Sequence, residues 1–149
     1  MNCCEVDYKI KTASREGIVE HLNRCANSFI PPLHTYVDIQ KYAEKINKNA
    51  ITFEAWDKNT LVGLIAAYFN DENTKIGFIT NVSMVKEYQG LGIASKLLLL
   101  TIEYGKEHNF RIIRLEVNKI NQKALTLYKR NGFVEKQQNV NSVMMEYLL

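Results

Sequence analysis

The sequence predicts an α/β fold of the α+β kind, a single mixed, mostly antiparallel sheet of about seven strands with about four helices. Three patterns carry that expectation. Three apolar strand-like runs, Ile51–Trp56, Leu61–Phe69 and Ile76–Val85, are joined by short polar turns, which makes an antiparallel meander. A glycine-rich turn and a long leucine-rich helix then lead to another strand, which requires a parallel crossover. A further helix and two short alternating runs close the chain.

Each element has a local reason. Glu5 to Lys11 alternates and reads as an edge strand, with Val6, Tyr8 and Ile10 on one face. Ser14 is placed to N-cap a first helix running to about Asn27, with Ile18, Leu22 and Cys25 at helical spacing. Pro31-Pro32 forbids its continuation. Phe29 to Tyr36 is a loop of aromatic and apolar residues with one histidine, His34, which either caps a core or faces a substrate. Asp38 N-caps a second helix from Ile39 to about Lys48, striped by Tyr42, Ala43 and Ile46.

Asp57-Lys58-Asn59-Thr60 and Asn70-Asp71-Glu72-Asn73 carry the turn chemistry of the meander. The long helix runs from about Leu91 to Glu107, and Arg111 to Val117 follows as a strand with Ile113, Leu115 and Val117 on one face. Asn121 begins a last helix, which Asn131-Gly132 ends as a left-handed C-cap. Phe133 to Lys136 and Ser142 to Tyr147 read as closing antiparallel strands.

Composition narrows the class. At 149 residues, 46% hydrophobic and 23% charged, the chain reads as one domain over residues 1–149 with an ordinary soluble core. A net charge of +3, with no basic run, argues against a nucleic-acid surface and is compatible with an anionic ligand. Cys3, Cys4 and Cys25 lack zinc-ligand spacing and read as free thiols in a reducing, cytoplasmic setting, with no metal site. No apolar run approaches the ~20 residues of a membrane span, and no signal peptide is visible.

The stretch Gln89-Gly90-Leu91-Gly92-Ile93-Ala94-Ser95 sits between a strand and a helix start. Free backbone N–H groups and the positive end of a helix dipole meet there, as a polyphosphate requires. Glycines also make tight turns for structural reasons alone. A second segment runs from Leu115-Glu116-Val117-Asn118 through Asn121, Ala124 and Leu127-Tyr128 to Gly132-Phe133.

With both segments in this order, the chain resembles the GNAT superfamily of acyl-CoA-dependent N-acyltransferases. Its phosphate signature is Gln or Arg, two residues, Gly, one residue, then Gly or Ala, and it stands here as Gln89, Gly92 and Ala94. The resemblance implies acetyl-CoA as donor and no metal, with the N–H groups from Gly90 to Ser95 on the pyrophosphate. The pantetheine would lie in a gap between strands, paired with backbone around Val82, Ser83 and Met84. Asn121 matches the asparagine that bonds this arm, though N-capping of the last helix would equally explain it. Tyr128 matches the tyrosine beside the thioester sulfur, where the residues alone would suggest a core tyrosine. A thiol near ~8.5 and a phenol near ~10 make full proton transfer to the thiolate uphill by about 2 kcal/mol, so a hydrogen bond to developing thiolate is its expected contribution.

The base is less defined. Family members often carry Glu in an Ile-Glu-Asn stretch, where this chain has Ile79-Thr80-Asn81. Glu116 is the alternative, in the Leu-Glu-Val context of the branch that acetylates protein N-termini; a solvated strand face would also account for it. Glu54, His34 and Tyr36 are further candidates if they line the acceptor cleft, and deprotonation through water is open. The resemblance thus implies an N-acetyltransferase acting on a small-molecule amine, an amino sugar or a peptide N-terminus, with homodimers common in the family. A non-catalytic acyl-CoA-binding regulatory module is the alternative. A nucleotide-binding Rossmann module is disfavoured, because the glycine turn follows a meander rather than a first strand.

Overall fold

A computed structural model describes residues 5–149; Cys3 and Cys4, read above as free thiols, lie outside the described residues. Seven strands form one sheet: β1 (Asp7–Ile10), β2 (Ile51–Asp57), β3 (Thr60–Tyr68), β4 (Ile76–Met84), β5 (Ile112–Asn118), β6 (Val134–Gln138) and β7 (Ser142–Leu148). Their order is β1-β2-β3-β4-β5-β7-β6. Every pairing is antiparallel except β4 with β5, as the crossover demanded.

Four helices cover the sheet: α1 (Arg15–Cys25), α2 (Ile39–Asn49), α3 (Ile93–Glu107) and α4 (Gln122–Arg130). One face packs Ile18 and Leu22 of α1 and Ala43 and Ile46 of α2 against Leu61, Leu64 and Ala66. The other packs Ile93, Leu97 and Leu98 of α3, with Leu125 and Tyr128 of α4, against Phe53, Ile65, Ile113 and Val117. Ser14 and Asp38 cap α1 and α2 as expected, accepting from the N–H groups of Gly17 and Lys41. Gly132, at φ +97°, makes the turn after α4.

Several boundaries move for physical reasons. The long helix begins at Ile93 rather than Leu91, because Gly92 takes a left-handed conformation at φ +82° and serves as its N-cap. α1 ends at Cys25, and the chain tightens into a 3₁₀ turn over Ala26–Ser28. The loop from Phe29 to Tyr36 contains another 3₁₀ turn, Leu33–Thr35, whose Leu33 enters the core. Phe133 is a core residue ahead of β6 rather than its first strand residue. Ile10 at the end of β1 is exposed, while Tyr8 on that strand and Val6 just before it pack inward.

Glu54 is a buried structural anchor rather than a member of the acceptor cleft. Its carboxylate is fully buried and accepts from the N–H groups of Thr12 and Ala13, the hydroxyls of Thr12 and Thr52, and the Trp56 indole. Those five donors ligate both oxygens and tie the segment entering α1 to β2. Bonds to a charged acceptor contribute about 1.5–3 kcal/mol each and orphaned donors cost about 1–3 kcal/mol. Glu54→Ala should therefore lower the unfolding free energy by about 4 kcal/mol, read from urea denaturation.

Candidate active site

The parallel ladder between β4 and β5 is short. It joins Ile76, Gly77, Phe78 and Ile79 to Ile112, Ile113, Arg114 and Leu115, and then stops. At that point Thr80 bulges: Ala66 faces Asn81 and Ala67 faces Ile79, leaving Thr80 without a partner on β3. Beyond it β5 stays with β7, pairing Glu116, Val117 and Asn118 with Met144, Val143 and Ser142. β4 stays with β3. The two strands therefore part.

The edge left open has a defined polarity. Val85 donates its N–H to the Val62 carbonyl at 2.9 Å. By the alternation of an antiparallel ladder, Val82 and Met84 turn their own N–H and C=O groups from β3 towards the gap. Ser83 lies between them with its side chain on the α1 face.

At the mouth of the gap lies the glycine turn. Gly90 and Gly92 adopt φ of +77° and +82°, and a Cβ built on either would meet nothing within 4 Å. The first bond inside the helix runs from the Lys96 N–H to the Gly92 carbonyl at 3.1 Å. The N–H groups of residues 90–95 therefore border open space. Gln89 straps the turn, its Nε2 donating to the Met84 carbonyl at 3.3 Å while its Oε1 accepts from Lys123 Nζ at 3.4 Å. Lys123 was not anticipated; nothing in the sequence marks a first-turn lysine of α4 as a neighbour of residue 89. A cradle of unpaired N–H groups, two glycines and an ammonium fits a pyrophosphate.

Asn121 performs its structural role, its Oδ1 capping α4 through the Ala124 N–H at 3.1 Å. Asn131 ties the far end of α4 to α3 through the Ser95 hydroxyl at 3.1 Å. Tyr128 is buried, with its ring 6.0 Å from that of Phe133. Burial pushes its phenol well above the ordinary range.

The opposite face of the gap is lined differently. Tyr42 of α2 donates its hydroxyl to the Thr80 carbonyl at 2.8 Å and lies 3.0 Å from Thr80 Oγ1. The Asn81 amide and the Tyr36 and Tyr68 rings are near enough to act on its acidity, and burial pushes Tyr42 up to about 12. Burial raises Tyr36 and Tyr68 as well, so this cluster of phenols is neutral at physiological pH.

Beneath it runs a buried chain from α1. His21 Nδ1 lies 2.9 Å from the Leu61 carbonyl, His21 Nε2 lies 2.8 Å from Ser83 Oγ, and Ser83 Oγ lies 2.7 Å from the Asn81 amide. Burial lowers His21 to about 4, which makes it neutral. His21 too was missed, since its position between Ile18 and Leu22 reads as helix core.

The remaining candidates scatter. Glu116 is exposed on the face of β5 opposite Val117, which packs with Tyr128. Its carboxylate accepts from Ser142 Oγ at 2.6 Å and Asn139 Nδ2 at 2.9 Å, closing the β6–β7 turn. His34 is exposed on the 3₁₀ turn and joins no cluster, while Tyr36, 57% exposed, stays beside Tyr42. Among the described residues, no group of three or more His, Cys, Asp and Glu side chains is arranged to hold a metal ion. None of their helices is long and apolar enough to cross a membrane.

Comparison with known proteins decides the family. The model of the acetyltransferase (GNAT) family matches residues 15–133. The chain belongs to the GNAT family. It is 28% identical over 141 residues to the N-alpha-acetyltransferase MAK3 of Arabidopsis thaliana, covering 87% of this chain and 74% of that protein. It is 32% identical over 84 residues to N-alpha-acetyltransferase 30 of Schizosaccharomyces pombe, covering 55% of this chain and only 56% of that protein. The paia N-acetyltransferase of Thermoplasma acidophilum, solved with coenzyme A, shares the fold at a TM-score of 0.78 and 18% identity, covering 96% of this chain and 99% of that one.

For a GNAT protein the cradle yields a direct expectation. Gly92→Ala forces a side chain into a left-handed conformation, at about 1–2 kcal/mol, and places a methyl in the open space. Acetyl-CoA affinity should fall about tenfold or more in isothermal titration, while the circular dichroism spectrum stays that of the parent.

Proposed function

We propose that this protein is an N-acetyltransferase that passes the acetyl group of acetyl-CoA directly to a primary amine, with the α-amine of a peptide N-terminus as the best-suited acceptor. The observation that carries the reading is the parting of β4 and β5 above an open phosphate cradle. The two sequence relatives named as N-alpha-acetyltransferases support the choice of acceptor.

Acetyl-CoA supplies the acyl group as a thioester. The N–H groups of residues 90–95 and Lys123 hold its phosphates, the main chain of Val82 and Met84 aligns its arm like an added strand, and Asn121 adds its free amide N–H. In the transfer an N–C bond forms, the C–S bond breaks, the amine loses a proton, and the sulfur departs as a thiolate that takes its proton afterwards from solvent water. Tyr128 acts on that sulfur as a hydrogen-bond donor. Its burial makes the phenol a weaker acid than usual, so it stabilises negative charge on sulfur without surrendering its own proton.

Direct attack needs a neutral amine. An α-amine near ~7.8 is about a tenth free at neutral pH, whereas a lysine-like amine near ~10.4 is almost wholly charged. The neutral tyrosine cluster offers no charge to hold an ammonium, which favours the α-amine. Cys25 is an unsuitable nucleophile for an acyl-enzyme route, being buried with its thiol pushed up to about 12. We assign the departing proton to Glu116, on the acceptor face of β5 one residue beyond its last pair with β4.

A screen of peptides, small amines and amino sugars with acetyl-CoA, monitored by thiol release, tests the reading. Turnover with peptide N-termini is expected; binding of acetyl-CoA with no turnover on any amine would instead favour a regulatory module. Glu116→Gln should lower kcat/KM at pH 7 by about tenfold or more. The loss should shrink at pH 9, where most of an α-amine acceptor is already neutral. Equal losses at both pH values would remove Glu116 as proton acceptor.

A further inference from the structure

The bulge at Thr80 does more than end a ladder. Ile79 packs in the core with α3, and in a regular strand Asn81 would share that face. Instead Asn81 bonds Ser83, which meets His21 on the α1 side, while Val82 and Met84 pack towards the α3 core. One extra residue has exchanged the faces of everything after it, and with them the direction of each N–H and C=O. The open edge at Val82 and Met84 exists only while Thr80 stays out of the ladder.

Neither neighbouring strand pairs with Thr80, since the β3 register skips it and the β5 ladder ends at Ile79. Side chains hold it instead. The Tyr42 hydroxyl donates to the Thr80 carbonyl at 2.8 Å and has then used its proton. The Thr80 hydroxyl, 3.0 Å from the same phenol oxygen, therefore donates back to Tyr42. The Asn81 amide acts on that oxygen too, and the Tyr68 hydroxyl of β3 bonds the Thr80 side chain. Two bonds between Tyr42 and Thr80 thus clasp the extra residue from α2, which packs on the face opposite α3.

We propose that Tyr42 is a positioning residue for the acyl donor: its clasp on Thr80 holds the bulge, and the bulge holds the edge at Val82 and Met84 that receives the acetyl-CoA arm. The assignment rests on the N-acetyltransferase reading and deepens it. A hydroxyl on the α2 face thereby governs affinity for a ligand whose phosphates lie at the start of α3. Tyr42→Phe removes both bonds and leaves the Thr80 carbonyl without that donor.

Isothermal titration with acetyl-CoA tests the clasp. Tyr42→Phe should raise the Kd about tenfold, and Thr80→Val, which removes only the hydroxyl bond, about threefold. Thr80→Ser keeps both bonds and should bind within about twofold of the parent. In steady-state kinetics Tyr42→Phe should raise the acetyl-CoA KM while kcat and the acceptor KM stay within about twofold, a split that loss of folded protein would not give. A parent-like Kd in Tyr42→Phe overturns the proposal, whatever the acceptor KM does. Should that variant fail to fold, Thr80→Val decides, and parent-like affinity there overturns it equally. Thr80→Ser binding as weakly as Thr80→Val would also overturn it. A parent that binds acetyl-CoA but releases no thiol with any amine overturns the N-acetyltransferase reading and leaves the Kd test of the clasp in force.

Discussion

The ladder between β4 and β5 stops at Ile79 and Leu115, and the rest of the site is built around that interruption. A sheet normally gains by continuing to pair, since unpaired main-chain groups in an interior are costly. Here the bulge at Thr80 turns β4 with β3 while β5 follows β7, and apart from Thr80 both stay paired on their other side. The loss is confined to the facing edges of these two strands and to Thr80. The polar groups that Val82 and Met84 expose there are the ones an extended, amide-bearing ligand can satisfy.

The surroundings make the interruption durable. Glu54 locks the approach to α1 onto β2, which holds α1 where His21 can grip Ser83 from below the opened strand. Gln89 ties the far end of β4 to the glycine turn, and Asn131 joins α4 to the first turn of α3. The open edge, the phosphate cradle and Tyr128 are thus fixed to one frame. The two sides of the gap differ in character, with a main-chain edge, glycines and a lysine on one side and neutral phenols and an amide on the other.

The glycine turn and its place in the sheet were largely legible in the sequence because they depend on local pattern. Gly90 and Gly92 announce a turn that needs positive φ, the meander before it and the strand after it force a parallel crossover, and Asn121 and Tyr128 follow in register. The cluster of tyrosines, Asn81 and His21 around Thr80 was not legible, because its parts meet only in space. A bulge has no side-chain signature, so Thr80 read as a missing glutamate rather than as the point where the sheet opens. His21 meets Leu61 and Ser83 across 40 and 62 residues, and on its own helix it looks like one more core position. Glu54 drew attention as an acid in an alternating strand; the donors from Thr12 and Ala13 that saturate it lie 42 and 41 residues away.

Amide hydrogen exchange along β4, read with and without saturating acetyl-CoA, tests the parting of the strands most directly. In the free protein the N–H groups of Val82 and Met84 should exchange fast while that of Ser83, turned to β3, exchanges slowly. Acetyl-CoA should then slow Val82 and Met84 by about tenfold or more and leave Ser83 unchanged. Slow exchange at Val82 and Met84 in the free protein, or rates that acetyl-CoA does not alter, would contradict an open edge that receives the donor.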